Sequence, residues 1–229
     1  SDISYGRDGD SSVLGYEVKS LPGYNRISGD MYLGSSNIMD KAGSETGIGG
    51  YMLYSISNKN NAVQDLGLLY CGNGYWETVV WGRYTNWGEG PARIANGTYI
   101  YLQIWIDENN DINFLGLDGN NMSNIIFQGT YDSWDEMPYS GSGVSFNRQV
   151  TYAANEGKQN DHTGLYVNNC RYDRAYLYND TTGACTRFNS SNTDSSRRGK
   201  FGASWAPYSR VTINSNTHWY SENISINMN

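Results

Sequence analysis

Two short stretches combine residue types that could do chemistry. In Tyr75-Trp76-Glu77-Thr78-Val79-Val80-Trp81, alternate positions place Tyr75, Glu77, Val79 and Trp81 on one face. An unpaired carboxylate is costly to bury, so that face is expected to open to solvent or a groove. In residues 98–107, Ile100, Leu102, Ile104 and Ile106 form one aliphatic face, and Tyr99, Tyr101, Gln103 and Trp105 form the other. Flat rings with polar tips beside a carboxamide suit a sugar, whose C–H groups stack while its hydroxyls find donors. Together the two faces predict a groove lined by Tyr75, Glu77, Trp81, Tyr99, Tyr101, Gln103 and Trp105. The alternative is a pair of strands whose outer aromatics are simply covered.

Other constellations carry less. Asp107, Asn109 and Asp111 supply oxygens at alternating positions, which makes calcium a candidate ion and the absence of any cofactor the default. The run lacks the glycine and the distal glutamate of an EF-hand, and Glu108-Asn109-Asn110 reads better as a hairpin turn. Cys170 and Cys185 flank a hairpin-like segment and form a candidate disulfide, with three buried reduced thiols as the alternative. His162 and His218 adjoin no nucleophile motif, and Arg197-Arg198-Gly199-Lys200 reads as a solvated loop.

The elements that must position these groups are strands. Period-two alternation recurs over 51–56, 66–70, 75–81, 98–106, 112–117, 125–128, 144–152, 210–213 and 223–228, with Gly, Asn and Asp between. No twelve-residue window carries a helical stripe. The spacing predicts an all-β, two-sheet antiparallel sandwich of jelly-roll type. It forms a single domain over 1–229, with a loop-rich insertion at about 154–203 in which strand-like pieces at 165–167 and 175–178 and a hairpin are embedded.

Composition bounds the function. Of 229 residues, only 38% are hydrophobic and 17% charged, while aromatics reach 14%, which excludes disorder as the general state. A net charge of −7 argues against a nucleic-acid partner, and no stretch is apolar enough for membrane insertion by a helix. The polar, aromatic-rich balance suggests a secreted or cell-surface protein.

Size, composition and strand pattern resemble the concanavalin A-like lectin and glucanase jelly rolls, secreted sandwiches that bind or cut polysaccharides. Within them, Glu77-Thr78-Val79-Val80-Trp81 is similar to the nucleophile strand of family-12 endoglucanases. That resemblance implies Glu77 as a nucleophile, and a retaining hydrolase would need a second carboxyl about 5–5.5 Å away. Glu89, Glu156 and Glu222 are the candidates, and the Glu-x-Asp-x-x-Glu signature of laminarinases is absent. The expectation is a lectin-like protein with a glycan partner. A glycoside hydrolase and a ligandless structural domain are the alternatives.

Overall fold

The computed structural model describes residues 12–38, 49–86, 93–153, 166–194, 211–215 and 220–227. These form fifteen strands, β1 (Ser12–Lys19), β2 (Arg26–Tyr32), β3 (Ser35–Ser36), β4 (Gly49–Ser57), β5 (Val63–Gly72), β6 (Tyr75–Gly82), β7 (Arg93–Ala95), β8 (Tyr99–Ile106), β9 (Asp111–Asp118), β10 (Asn121–Asp132), β11 (Ser145–Ala153), β12 (Tyr166–Asn179), β13 (Ala184–Arg187), β14 (Val211–Ser215) and β15 (Glu222–Asn227). One sheet has the order β1-β11-β4-β5-β6-β7. The other runs β10-β9-β8-β2-β12-β15-β14, with β3 and β13 also on β12. All pairings between these strands are antiparallel. The expected all-β sandwich is the observed fold.

Alternation explains why these residues make these strands. In β8 every second side chain, from Ile100 to Ile106, is buried between the sheets. Tyr16 and Val18 of β1, Met52, Tyr54 and Ile56 of β4, and Phe146, Val150 and Tyr152 of β11 meet them from the six-stranded side. The β5–β6 hairpin turns through Asn73 and Gly74, both at positive φ, the conformation that an Asn-Gly pair takes in a two-residue turn. Along the edge strand β10, Asn121 pairs with Asp118 and Ile125 with Leu117, so four steps on β10 match one on β9. A second irregularity follows between Ile125 and Phe127.

The interior is not wholly apolar. Arg148 of β11 and Glu222 of β15 form an ion pair at 2.6 Å with both side chains fully buried, joining the two sheets. The Tyr16 hydroxyl donates to the second Glu222 oxygen, and the Arg148 guanidinium lies 5.0 Å from the ring centres of Tyr172 and Phe188.

Three sequence expectations are corrected here. The segment expected to be loop-rich holds β12, a continuous strand of fourteen residues in the middle of the larger sheet. Asn and Arg interrupt its apolar pattern because its outer face is polar and because the register shifts after Val167 and after Asp173. Strands β1 and β2 also form where no strand was expected. The Cys170–Cys185 disulfide is absent: all three cysteines are free. Cys170 is buried in β12, whereas Cys185 is exposed and pairs with Tyr178, eight residues further along that strand. At about 3.3 Å per residue they are far beyond the ~7 Å Cα limit for a disulfide.

Candidate active site

The expected groove is not assembled. Tyr75, Glu77 and Trp81 stand on the outer face of the six-stranded sheet, and Tyr99, Tyr101, Gln103 and Trp105 on that of the nine-stranded sheet. The sandwich core separates the two sets. Sequence alternation gives the facing of each strand but not which sheet it joins.

On the nine-stranded sheet the half-buried aromatic residues pack on their own neighbours, and Tyr99 and Tyr101 border a cleft of about 520 Å³. Tyr99 stacks on Tyr32 with ring centres 4.6 Å apart, and Arg26 lies over Trp105 at 4.9 Å. Gln103 accepts from Arg26 at 2.9 Å and donates to the Tyr101 hydroxyl at 2.6 Å. Asp107 closes its hairpin, with one oxygen accepting the N–H groups of Asn109 and Asp111 and the other the Asn113 amide. Among the described residues no group of three or more His, Cys, Asp or Glu is placed to hold a metal.

Glu77 has Arg93 at 3.8 Å as its ion-pair partner. Glu222, a candidate second carboxyl, is in the core with Arg148. Glu89 and Glu156 lie outside the described residues.

A different group of side chains does come together, on the outer face of the six-stranded sheet toward β1. Glu17 of β1 is directly opposite Gln149 of β11, and Gln149 is opposite Leu53 of β4. In the next row Asn147 is opposite Ser55, and Ser55 opposite Asp65 of β5. These positions face away from the core, yet Gln149, Ser55, Thr151 and Leu53 are all buried.

Hydrogen bonds bind the group into two short chains. The Gln149 amino group donates to the Ser55 hydroxyl at 3.2 Å, and that hydroxyl donates to Asp65 Oδ1 at 2.5 Å. The Asn147 amino group donates to Glu17 Oε2 at 2.9 Å. The carboxamide oxygens of Gln149 and Asn147 are buried with no hydrogen-bond donor among the described residues. A buried acceptor left empty is expensive, so the two oxygens mark places where something polar belongs.

Charge is tuned there as well. Burial raises the Glu17 pKa above the ordinary carboxyl value, opposed by the Asn147 hydrogen bond. The charges of Asp194 and Asp65 raise it too, while Lys19 lowers it. Burial also raises Asp65, partly offset by the Ser55 hydroxyl. The Tyr51 phenol beside them is pushed up to about 12 by burial and by the Asp65 charge. Raised carboxyls grouped with carboxamides fit proton transfer beside an oxyanion-stabilising donor.

The scaffold fixes these positions. The Tyr172 hydroxyl reaches from the other sheet to donate to the Gln149 carbonyl at 2.6 Å. Leu53 leans over Gly67, where an added Cβ would fall 2.2 Å from the Met52 carbonyl oxygen, so no larger residue fits that floor.

Most of the chain superimposes on solved peptidase structures. Scytalido-glutamic peptidase with a transition-state analogue inhibitor matches at a TM-score of 0.60 and 8% identity, covering 94% of this chain and 98% of that one. SCP-B, a member of the eqolisin family of peptidases in complex with the tripeptide Ala-Ile-His, matches at 0.57 and 7%, covering 93% and 98%. The chain shares their fold. No family profile matches the sequence, and no curated protein matches it. The sandwich that the concanavalin A-like resemblance implied is therefore present, in the fold shared with these neighbours. The expectation of a lectin with a polysaccharide partner is corrected by these neighbours, as are the endoglucanase and ligandless alternatives: the neighbours are peptidases, in complex with inhibitors or a peptide.

Sequence reasoning passed over Glu17, Asp65 and Gln149. The alternation of 144–152 did place Asn147, Gln149 and Thr151 on one face, and that polar stripe was the available signal.

Proposed function

We propose that this chain hydrolyses peptide bonds at the outer face of the six-stranded sheet. The observation that carries the reading is Glu17, a carboxyl of raised pKa, directly opposite the buried carboxamide of Gln149. The peptidase neighbours support it through the shared fold.

The chemistry follows from the roles the groups can fill. Glu17, ionised, takes a proton from a water whose oxygen bonds to the peptide carbonyl carbon. The carbonyl oxygen becomes an oxyanion and accepts from a carboxamide N–H of Gln149. Glu17 then returns the proton to the departing nitrogen as the C–N bond breaks. Asp65 and Ser55 are positioning residues: the Asp65–Ser55–Gln149 chain holds the carboxamide amino end, leaving one N–H for substrate. A carboxyl raised by burial is a weaker acid, and so accepts the water's proton more readily than an ordinary one. A single sandwich domain over 1–229, secreted or at the cell surface, is part of the same proposal.

The test is digestion of an unfolded protein between pH 3 and pH 7, with products read by mass spectrometry. The parent should cleave, with activity rising through the elevated Glu17 pKa. Glu17→Gln should abolish turnover, and Gln149→Leu should lower kcat by roughly 100–1,000-fold, as loss of one oxyanion donor does. Undiminished cleavage by folded Glu17→Gln would overturn the assignment.

A further inference from the structure

The outer face of the nine-stranded sheet carries a second, unrelated feature. A single row of directly opposed residues crosses five strands: Asn214, Asn223, Arg171, Tyr32 and Tyr99. The Arg171 guanidinium lies 3.6 Å from the centre of the Tyr32 ring, and Tyr32 in turn stacks on Tyr99. A planar cation held flat on a ring keeps its N–H groups pointing outward in its own plane.

Arg171 borders a cleft of about 490 Å³ whose walls include Tyr32, Gly34, Asn96, Asn169 and Asn223. No carboxylate lines it among the described residues. Five other arginines, at 26, 83, 93, 148 and 174, have carboxylate partners; Arg171 has none among the described residues. Its Nε is buried with no acceptor among the described residues. Asn96 accepts the Trp76 indole N–H through Oδ1 at 2.9 Å, which leaves its amino group as a donor.

We propose that this cleft is a binding site for a small oxyanion, a carboxylate or phosphate group, taken by the Arg171 fork with Asn96 and Asn223 amides beside it. The chemistry is selective. A guanidinium pairs either group through two parallel N–H bonds, and carboxamides add donors without adding charge. An acceptor arriving at Nε would satisfy a buried donor that has no partner among the described residues. In a chain of net charge −7 the site is a local exception, set by the missing carboxylate partner and not by a general positive field.

Titration calorimetry at constant ionic strength tests this, with inorganic phosphate and acetate as separate probes and chloride as the control. At least one probe should bind the parent saturably at one site. Arg171→Gln should weaken that binding at least tenfold. Asn223→Asp keeps the Arg171–Tyr32 stack but supplies a competing carboxylate, so it should abolish binding without lowering the melting temperature. Binding of acetate alone identifies a carboxylate ligand, and of phosphate alone a phosphate ligand. Absence of saturable binding by both, or parent-like affinity in either folded variant, would overturn the site.

Discussion

Replacing Glu222 by Gln tests the ion pair that joins the two sheets. Both partners are fully buried, so the variant leaves the Arg148 cation in the core facing a neutral amide. It also weakens the bond from the Tyr16 hydroxyl. Breaking one side of a buried pair costs about 3–5 kcal/mol, because the surviving charge cannot reach water. For a chain of 229 residues each kcal/mol moves the melting temperature by about 2–4 °C, so a fall of roughly 6–20 °C is expected. Thermal unfolding by circular dichroism reads it directly. A companion variant, Tyr16→Phe with Arg148→Met and Glu222→Leu, removes the polar group entirely and should recover most of the loss, since apolar replacements of similar volume need no charge partner. A Glu222→Gln protein melting within about 2 °C of the parent would refute the claim that an uncompensated charge is what the pair prevents.

Other outcomes follow from the site and its surroundings. Because Asp65 has a raised pKa when folded, the folded state holds that proton more tightly than the unfolded chain. Its contribution therefore lowers stability as pH rises from the ordinary carboxyl value through the folded one, and Asp65→Asn should remove that downward slope in urea titrations across the window. Trp81 stands opposite Asp65 and is 63% exposed, so Trp81→Ala should raise KM for peptides with large apolar side chains while barely moving the melting temperature; an unchanged KM would exclude it as a substrate wall. Under native alkylation, exposed Cys185 should react first. Cys71, its thiol pushed up to about 11 by burial and the Glu77 charge, should lag, and Cys170 should react only on unfolding, as peptide mapping would show.

How far the sequence revealed this molecule depended on the range of the interaction. The β8 alternation is local, and its buried face is the observed one. The same is true of the stripe of Asn147, Gln149 and Thr151 on β11. What alternation cannot encode is the neighbour. Glu17 meets Gln149 only because β1 pairs with β11, across more than a hundred residues of chain. Two of the site's residues were hidden further. Glu17 lies on a strand too short of aliphatic residues to be recognised, and Asp65 precedes the stretch from Leu66 that reads as a strand. Trp105 and Glu77, by contrast, were conspicuous as residue types and yet fall on opposite outer faces. Residue type drew attention to them; sheet order separated them.

The irregular run of β10 bears on how copies of this protein meet one another. An edge strand of twelve residues with Met122 and Ile125 exposed would ordinarily offer a continuous row of free backbone donors and acceptors to a second chain. Here the extra residues between Asn121 and Ile125, and the second break before Phe127, put that row out of step with any regular partner. A visiting strand could align with a few residues on one side of the break but not with both sides at once. Trimming the extra residues to straighten β10 would thus turn a self-limiting border into a template, and crowding would then favour stacked sandwiches over separate ones.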